Sequence, residues 1–175
     1  MMRGMAGFKF AVLAVSFLAL AACSKMSTPD LETNNNPGGA DDGSGGGGGR
    51  HAPGSKGEFD TEVGNTVLFV VDQSTLTEEG KDTLRKQAAW LQRYEGVKVQ
   101  VEGHADERGT REYNIALSAR RATASRNFLI SQGVPAKRMS SIAFGKERPV
   151  AVCDTEECFS QNRRSVTVIT SGATE

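Results

Sequence analysis

Histidine is scarce in this chain: there are two in 175 residues, and one of them, His51, sits in a glycine-rich stretch. No HExxH pattern and no cysteine–histidine cluster occurs, so the ligand set of a zinc hydrolase is missing. A nucleophile elbow is also absent, as is a carboxylate pair in a context suited to acid–base work. These gaps point away from an enzyme and from any metal or cofactor. Net charge is missing too, with 21 Lys+Arg against 21 Asp+Glu. Without residues 1–22, which carry Arg3 and Lys9 and no acid, 19 basic residues face 21 acidic ones, a formal charge of −2. Such a balance gives no electrostatic case for nucleic acid or anionic lipid. No single-sign charge block and no internal repeat stands out.

What is present begins with a positive, then apolar, N-terminus. Phe10–Ala22 is apolar except for Ser16, and is shorter than the roughly 20 residues a membrane-crossing helix needs. It has the proportions of a secretory signal. Leu20-Ala21-Ala22-Cys23 puts small side chains before a cut and a thiol directly after it. This resembles the lipobox of bacterial lipoproteins, with Cys23 as the acylated residue and 1–22 as the signal; a simple secretory signal with Cys23 a bystander is the alternative. Two or more acyl chains would anchor the chain stably. Ser24, rather than Asp, follows the cysteine; by resemblance to lipoprotein sorting, that favours the outer membrane. Residues 23–57 are Asn-, Pro-, Ser- and Gly-rich, with five glycines in a row at Gly45–Gly49. Such a segment cannot offset its ordering entropy by burial. It reads as a tether with an r.m.s. reach of about 30 Å.

Residues 58–172 remain as one domain with a single core, and 173–175 as a short tail. Thr66–Val71 is a continuous apolar, β-branched run and reads as a buried strand. Ser74, Thr75 and Thr77 offer caps for a helix in which Leu84, Ala88 and Leu91 share a face, ending near Tyr94. Val97–Glu102 alternates and reads as a strand buried on one side. Glu112–Gln132 reads as a second helix, stopped by Gly133 and Pro135. A short strand at Ser141–Phe144, a turn at Gly145–Pro149 and a last strand at Ser165–Thr170 follow. The order β-α-β-α-β-β predicts an α+β fold with helices on one face of a small mixed sheet.

The most informative stretch runs from Glu102 to Ala122. Asp106, two residues, Gly109, four residues, Asn114, two residues, Leu117-Ser118, two residues, Arg121-Ala122 is a long and specific spacing. With Leu117 at zero on a helical wheel, Arg121 falls near 40° while Arg120 points outward. Asn114, Ser118 and Ser125 also face inward, so they require hydrogen-bond partners, and Arg121 requires a compensating partner. Asp106 and Arg121 together suit a ligand bearing both an ammonium and a carboxylate. A structural Asp106–Arg121 pair that merely orders the loop is equally open on spacing alone.

This spacing resembles the peptidoglycan-binding motif of the OmpA-like C-terminal domain family, and the likeness covers essentially all of residues 66–170. With the lipoprotein start, it is closest in kind to lipid-anchored members of that family. The resemblance implies the family's α+β sandwich and a non-enzymatic anchor between outer membrane and cell wall, facing the periplasm. It implies that Asp106 takes the ammonium of meso-diaminopimelate in the stem peptide and that Arg121 takes its carboxylate bidentately. Asn114 and Leu117 would shape the site, and Phe69 would line it. Where the motif usually has Thr, this chain has Ala105, so one hydroxyl contact is lost. The implied partners are peptidoglycan and the Tol proteins, TolB and TolA, with a part in drawing the outer membrane inward at division. An OmpA-like envelope lipoprotein outside the Tol system is the runner-up, and a peptidoglycan hydrolase a distant third.

His104 reads as a structural residue at a strand end. Asn162-Arg163-Arg164 also resembles the family, with one arginine expected to be structural and the other exposed. Cys153 and Cys158, the pair left once Cys23 is acylated, favour a disulfide in an oxidising compartment.

Overall fold

A computed structural model of the chain describes residues 51–174. The signal, Cys23 and most of the expected tether lie outside them. A short helix α1 (Lys56–Glu58) leads into a π-helical turn (Phe59–Gly64) and β1 (Thr66–Leu68). Then come α2 (Glu78–Arg93), β2 (Lys98–His104), α3 (Arg111–Ser131), a 3₁₀ turn (Ala136–Arg138), β3 (Met139–Gly145), α4 (Glu156–Asn162) and β4 (Arg164–Ser171). The sheet has the order β1-β4-β2-β3, with β2 and β3 parallel and the other pairs antiparallel. Parallel neighbours need a long crossover, and α3 provides it. The fold is the expected α+β arrangement with a mixed four-stranded sheet.

Local chemistry explains the boundaries. Of the three candidate caps for α2, Thr77 serves, its hydroxyl accepting from Gly80 N at 3.1 Å. Thr110 caps α3 in the same way through Tyr113 N. Inward residues of α2 and α3 (Leu84, Leu91, Leu129) are fully buried against Val99 and Val101 of β2. Each such leucine contributes about 1.5–3 kcal/mol by leaving water. Polar side chains fasten the layers as well: Ser125 Oγ meets Ser165 Oγ at 2.7 Å, and Thr167 donates to Gln87 Oε1 at 2.8 Å.

Gly103 sets how closely α3 lies on the sheet. A Cβ there would come within 1.9 Å of the Ser118 carbonyl oxygen, so only glycine allows this approach. The turn of α3 that carries Ser118 and Arg121 is thereby pressed onto the end of β2.

The structure corrects several expectations. Thr66–Val71 is not a buried strand throughout: only Thr66–Leu68 pairs, at the sheet edge. Val67 and Phe69 face the core while Leu68, Val70 and Val71 are about half exposed. An apolar run cannot reveal that its strand lies at an edge with one face open. β3 is longer than expected, and α4 has no counterpart in the sequence reading. Ordered contacts also run beyond 58–172, since Thr174 N donates to Gly54 O at 3.0 Å and Ser55 pairs with Thr174.

Candidate functional site

The site is built where β2 ends and α3 begins. Past His104 the chain leaves the sheet, with Ala105 N donating to Gly145 O at 2.7 Å. The Asp106–Thr110 loop is held from two sides. Asn114 Nδ2, 1% exposed, donates to Arg108 O at 2.8 Å. Lys146 Nζ donates to the carbonyls of Glu107 and Gly109, each at 3.0 Å. Gly109 turns the loop with φ +85°, a conformation that suits glycine.

This loop forms one wall of an open cleft of about 270 Å³. Asp106, Arg108 and Gly109 line that side, Asn114, Leu117 and Tyr113 come from α3, and Val71 and Asp72 close the far side. Asp72 has a positive φ of 57°, unusual outside glycine, and its carboxylate accepts a hydrogen bond from the Tyr113 hydroxyl. Three expected site residues, Asp106, Asn114 and Leu117, therefore meet in one cleft. Arg120, predicted to point outward, is exposed.

Arg121 and Phe69 lie behind the cleft rather than in its lining. Arg121 is fully buried, and it makes no ion pair with Asp106. Its Nε donates to Gln73 O at 2.8 Å, Nη1 to His104 O at 2.9 Å and Nη2 to Val70 O at 3.2 Å. The guanidinium stands 5.3 Å from the Phe69 ring centre. Burial lowers its pKa to about 10, against the charge of Asp106, and it stays protonated. Three of its five N–H groups are thus committed to backbone carbonyls. The wheel placed Arg121 correctly; its partners are carbonyls, which carry no sequence signature.

The partners of Asp106 are two other arginines. Its Oδ2 accepts from Arg163 Nη1 at 3.2 Å and Arg108 Nη2 at 2.5 Å. Burial pushes this carboxyl upward, but the hydrogen bonds from Arg108 and Arg163 outweigh it and hold it below the ordinary aspartate value. Arg163 also donates to Phe69 O at 3.1 Å and pairs with Glu156, from α4. Arg108 lies 3.7 Å from the same glutamate. The sequence reading missed Arg108 and Glu156 as site residues. Arg108 stands inside the motif two residues after Asp106, so its place there was the available signal; Glu156 had none.

Arg163 and Arg164 are both buried, each 6% exposed, correcting the expectation that one would be exposed. Arg164 donates to Arg148 O at 3.2 Å. His104 is buried with no hydrogen-bond partner on either ring nitrogen, stacked on Phe144 at 5.5 Å. Burial, aided by the charges of Arg164 and Arg148, lowers its pKa to about 4, so it is neutral. Cys153 and Cys158 form a disulfide, with Cα atoms 5.7 Å apart.

Comparison with known proteins identifies the family and the fold. The OmpA family model matches residues 68–163. A peptidoglycan-associated lipoprotein of Agrobacterium fabrum is 57% identical over 117 residues, covering 67% of this chain and 66% of that protein. Its namesake in Mesorhizobium japonicum is 49% identical over 163 residues, covering 91% of this chain and 89% of that one. Among solved structures, the peptidoglycan-associated lipoprotein of Burkholderia pseudomallei superposes with a TM-score of 0.59 at 35% identity. That match covers 61% of this chain and 90% of the other. The C-terminal domain of Helicobacter pylori MotB shares the fold, with a TM-score of 0.58 at 21% identity over 61% of this chain and 84% of that one. With the family model matching more than half of its length, the chain belongs to the OmpA family.

Proposed function

We propose that this chain is a lipid-anchored envelope protein that grips peptidoglycan non-covalently and acts as a tether rather than a catalyst. The observation that carries the reading is the Asp106 carboxylate, ionised and held at the wall of an open cleft with Asn114 and Leu117 beside it. An ammonium group is its natural ligand, and the diaminopimelate of a stem peptide presents one. Arg121 and Phe69 form the rear of the site, fixing the Val70–Gln73 wall. The relatives named peptidoglycan-associated lipoproteins support the same ligand class. Acylation at Cys23 holds the chain in the outer membrane, and the glycine-rich stretch lets the domain reach the wall from the periplasmic side. TolB and TolA are the protein partners of this reading, which includes a part in drawing the outer membrane inward at division and in envelope integrity.

The test is co-sedimentation of the purified whole chain with isolated peptidoglycan. Loss of a desolvated charge partner costs about 2–5 kcal/mol, more than tenfold in affinity. Asp106→Asn should therefore remain in the supernatant while Arg120→Ala sediments like the wild type. A folded Asp106→Asn that sediments normally would place the site elsewhere. Labelled fatty acid should enter the wild type and not Cys23→Ala; equal labelling of both would remove the anchor.

A further inference from the structure

Residues 53–58, between the glycine-rich stretch and the π-helical turn, are fastened to the last residues of the chain and to α2. Thr174 Oγ1 donates to Pro53 O and Thr174 N to Gly54 O, each at 3.0 Å. One carboxylate oxygen then locks the segment on itself and onto the helix. Glu58 Oε2 accepts from Gly54 N and from Trp90 Nε1, both at 2.7 Å. Gly54, at φ +79°, lies against the Tyr94 ring, where a Cβ would come within 2.9 Å of Cε1. Ser55 Oγ accepts from Glu58 N at 3.2 Å and closes the turn. The next residue is held differently. Phe59 is fully buried, its ring 4.8 Å from that of Trp90. Further on, Gly64 O accepts at 2.7 Å from Nε2 of Gln87, a fully buried side chain.

Position gives this segment a mechanical meaning. Ser171 pairs with Lys98 at the start of β2, and the cleft opens past His104 at the other end of that strand. Strand length puts the two about 20 Å apart. A domain held at its cleft and pulled through the residues before 53 is therefore loaded along the sheet, and the bonds of 53–58 are the first the pull meets. They follow one another along the chain, so the load falls on each in turn. The Thr174–Pro53 bond is exposed and the Glu58 bonds are part-buried, so water replaces each as it breaks. Phe59 resists, because its release would wet a fully buried ring. We propose that residues 53–58 are a force-sensitive clasp: under tension they peel from Thr174 and α2 as far as Phe59, and they close again when the tension falls. Six residues drawn straight lengthen the tether by at most about 20 Å. The sheet is spared meanwhile, above all β1, an edge strand of three residues that would otherwise take the pull. This inference rests on the tether reading for the source of the load.

Optical tweezers test it on the unacylated chain from Cys23 onward, with one DNA handle on the Cys23 thiol. The other handle sits on a thiol introduced by Arg111→Cys, an exposed position at the first residue of α3 beside the cleft loop. Cys153 and Cys158 are paired and take no handle. The trace should show a reversible lengthening of about 20 Å at a force below that of unfolding. Glu58→Ala removes both Oε2 bonds and should lower the force of that step about twofold or more, with the unfolding force unchanged. Thr174→Pro, which lacks the N–H, should act the same way. Glu62→Ala, an exposed position beyond Phe59, should leave the step as it is. Folding of each variant is checked by near-ultraviolet circular dichroism. A chain that unfolds in a single step overturns the clasp, as does a step whose force neither variant changes. A folded Glu58→Ala whose unfolding force falls as well also overturns it, making Glu58 a support of the sheet. Neither membrane nor peptidoglycan enters the measurement, so its failure is separate from failure of the peptidoglycan-binding reading, which co-sedimentation decides.

Discussion

The two ends of the core are built on opposite rules. Where α2 and the C-terminal half of α3 cover the sheet, the buried set is mainly apolar (Phe59, Leu84, Trp90, Leu91, Val97, Leu129 and Val134), with Gln87, Ser125 and Thr167 as its few polar members. Contacts there are non-directional, and any shape of the right volume serves. Where β2 runs out and α3 begins, the buried set is His104, Asp106, Asn114, Ser118, Arg121, Asn162, Arg163 and Arg164. Apart from the His104 ring nitrogens and Arg164 Nη1, the buried side-chain polar atoms there have partners at set distances and angles. Both ends hold the fold together; the second also fixes the positions of particular oxygens and nitrogens, which is what recognition of a small charged group requires. The sharpest way to test this division is to damage each end and read stability and binding separately.

The largest effect is expected at Arg121. Arg121→Ala leaves three carbonyls without their donor, that of His104 buried and those of Val70 and Gln73 partly so. Each orphaned acceptor costs about 1–3 kcal/mol, so after relaxation a loss of roughly 4 kcal/mol follows. Lysine, with one amine in place of a fork, should recover only part of it. Urea unfolding reads this directly. A wild-type midpoint for Arg121→Ala would show that the polar end is not the directional scaffold argued for here. At the apolar end, Leu91→Ala should cost about 3 kcal/mol through a cavity. It should leave the affinity of the folded protein for peptidoglycan unchanged; weakened binding with intact folding would mean the two ends are coupled.

The same division decides what could be read from the sequence. Leu84, Ala88 and Leu91 at helical spacing, and the alternation from Val97 to Glu102, marked α2 and β2 because apolar burial leaves a periodic trace. The wheel separated buried Arg121 from exposed Arg120 for the same reason. The partners of Arg121 were not legible, since backbone carbonyls 48 and 51 residues away have no residue type to betray them. Nor could α4 be foreseen: it has seven residues, one of them buried, and so no periodic stripe. With α4 went Glu156, and with Glu156 the network that shares Asp106 among arginines.

His104 gives a smaller, pH-dependent contrast. In the folded chain it titrates at about 4 against an ordinary 6.5. Unfolded chains therefore take up a proton between those values that the fold refuses. Stability is fully present above pH 6.5 and falls as the pH drops towards 4, by up to about 3 kcal/mol. Asp106, held below its ordinary 3.8, adds its own loss further down. His104→Gln should flatten the dependence of the urea midpoint between pH 6.5 and 4. An unchanged slope in that variant would assign the acid sensitivity to other groups.

The smallest effect is expected from the disulfide, although it closes the loop leading into α4. Cys153 and Cys158 are five residues apart, and so short a loop constrains the unfolded chain by about 2 kcal/mol at most. The folded loop has other fastenings. Asn162, 1% exposed, accepts from Val150 N at 2.8 Å and Ala151 N at 3.2 Å, and donates to Ala151 O at 2.8 Å. Glu156 remains paired with Arg163, whose other bonds reach Phe69 and Asp106. The double variant Cys153→Ser, Cys158→Ser should thus unfold at slightly lower urea and still sediment with peptidoglycan. Thiol counting on unreduced protein from the periplasm should find neither cysteine free. Should the folded double variant fail to sediment, the sulfur bridge, and not the Asn162 bonds, would be what keeps Glu156 and Arg163 at Asp106, and the polar end would depend on a covalent tie that its hydrogen bonds cannot replace.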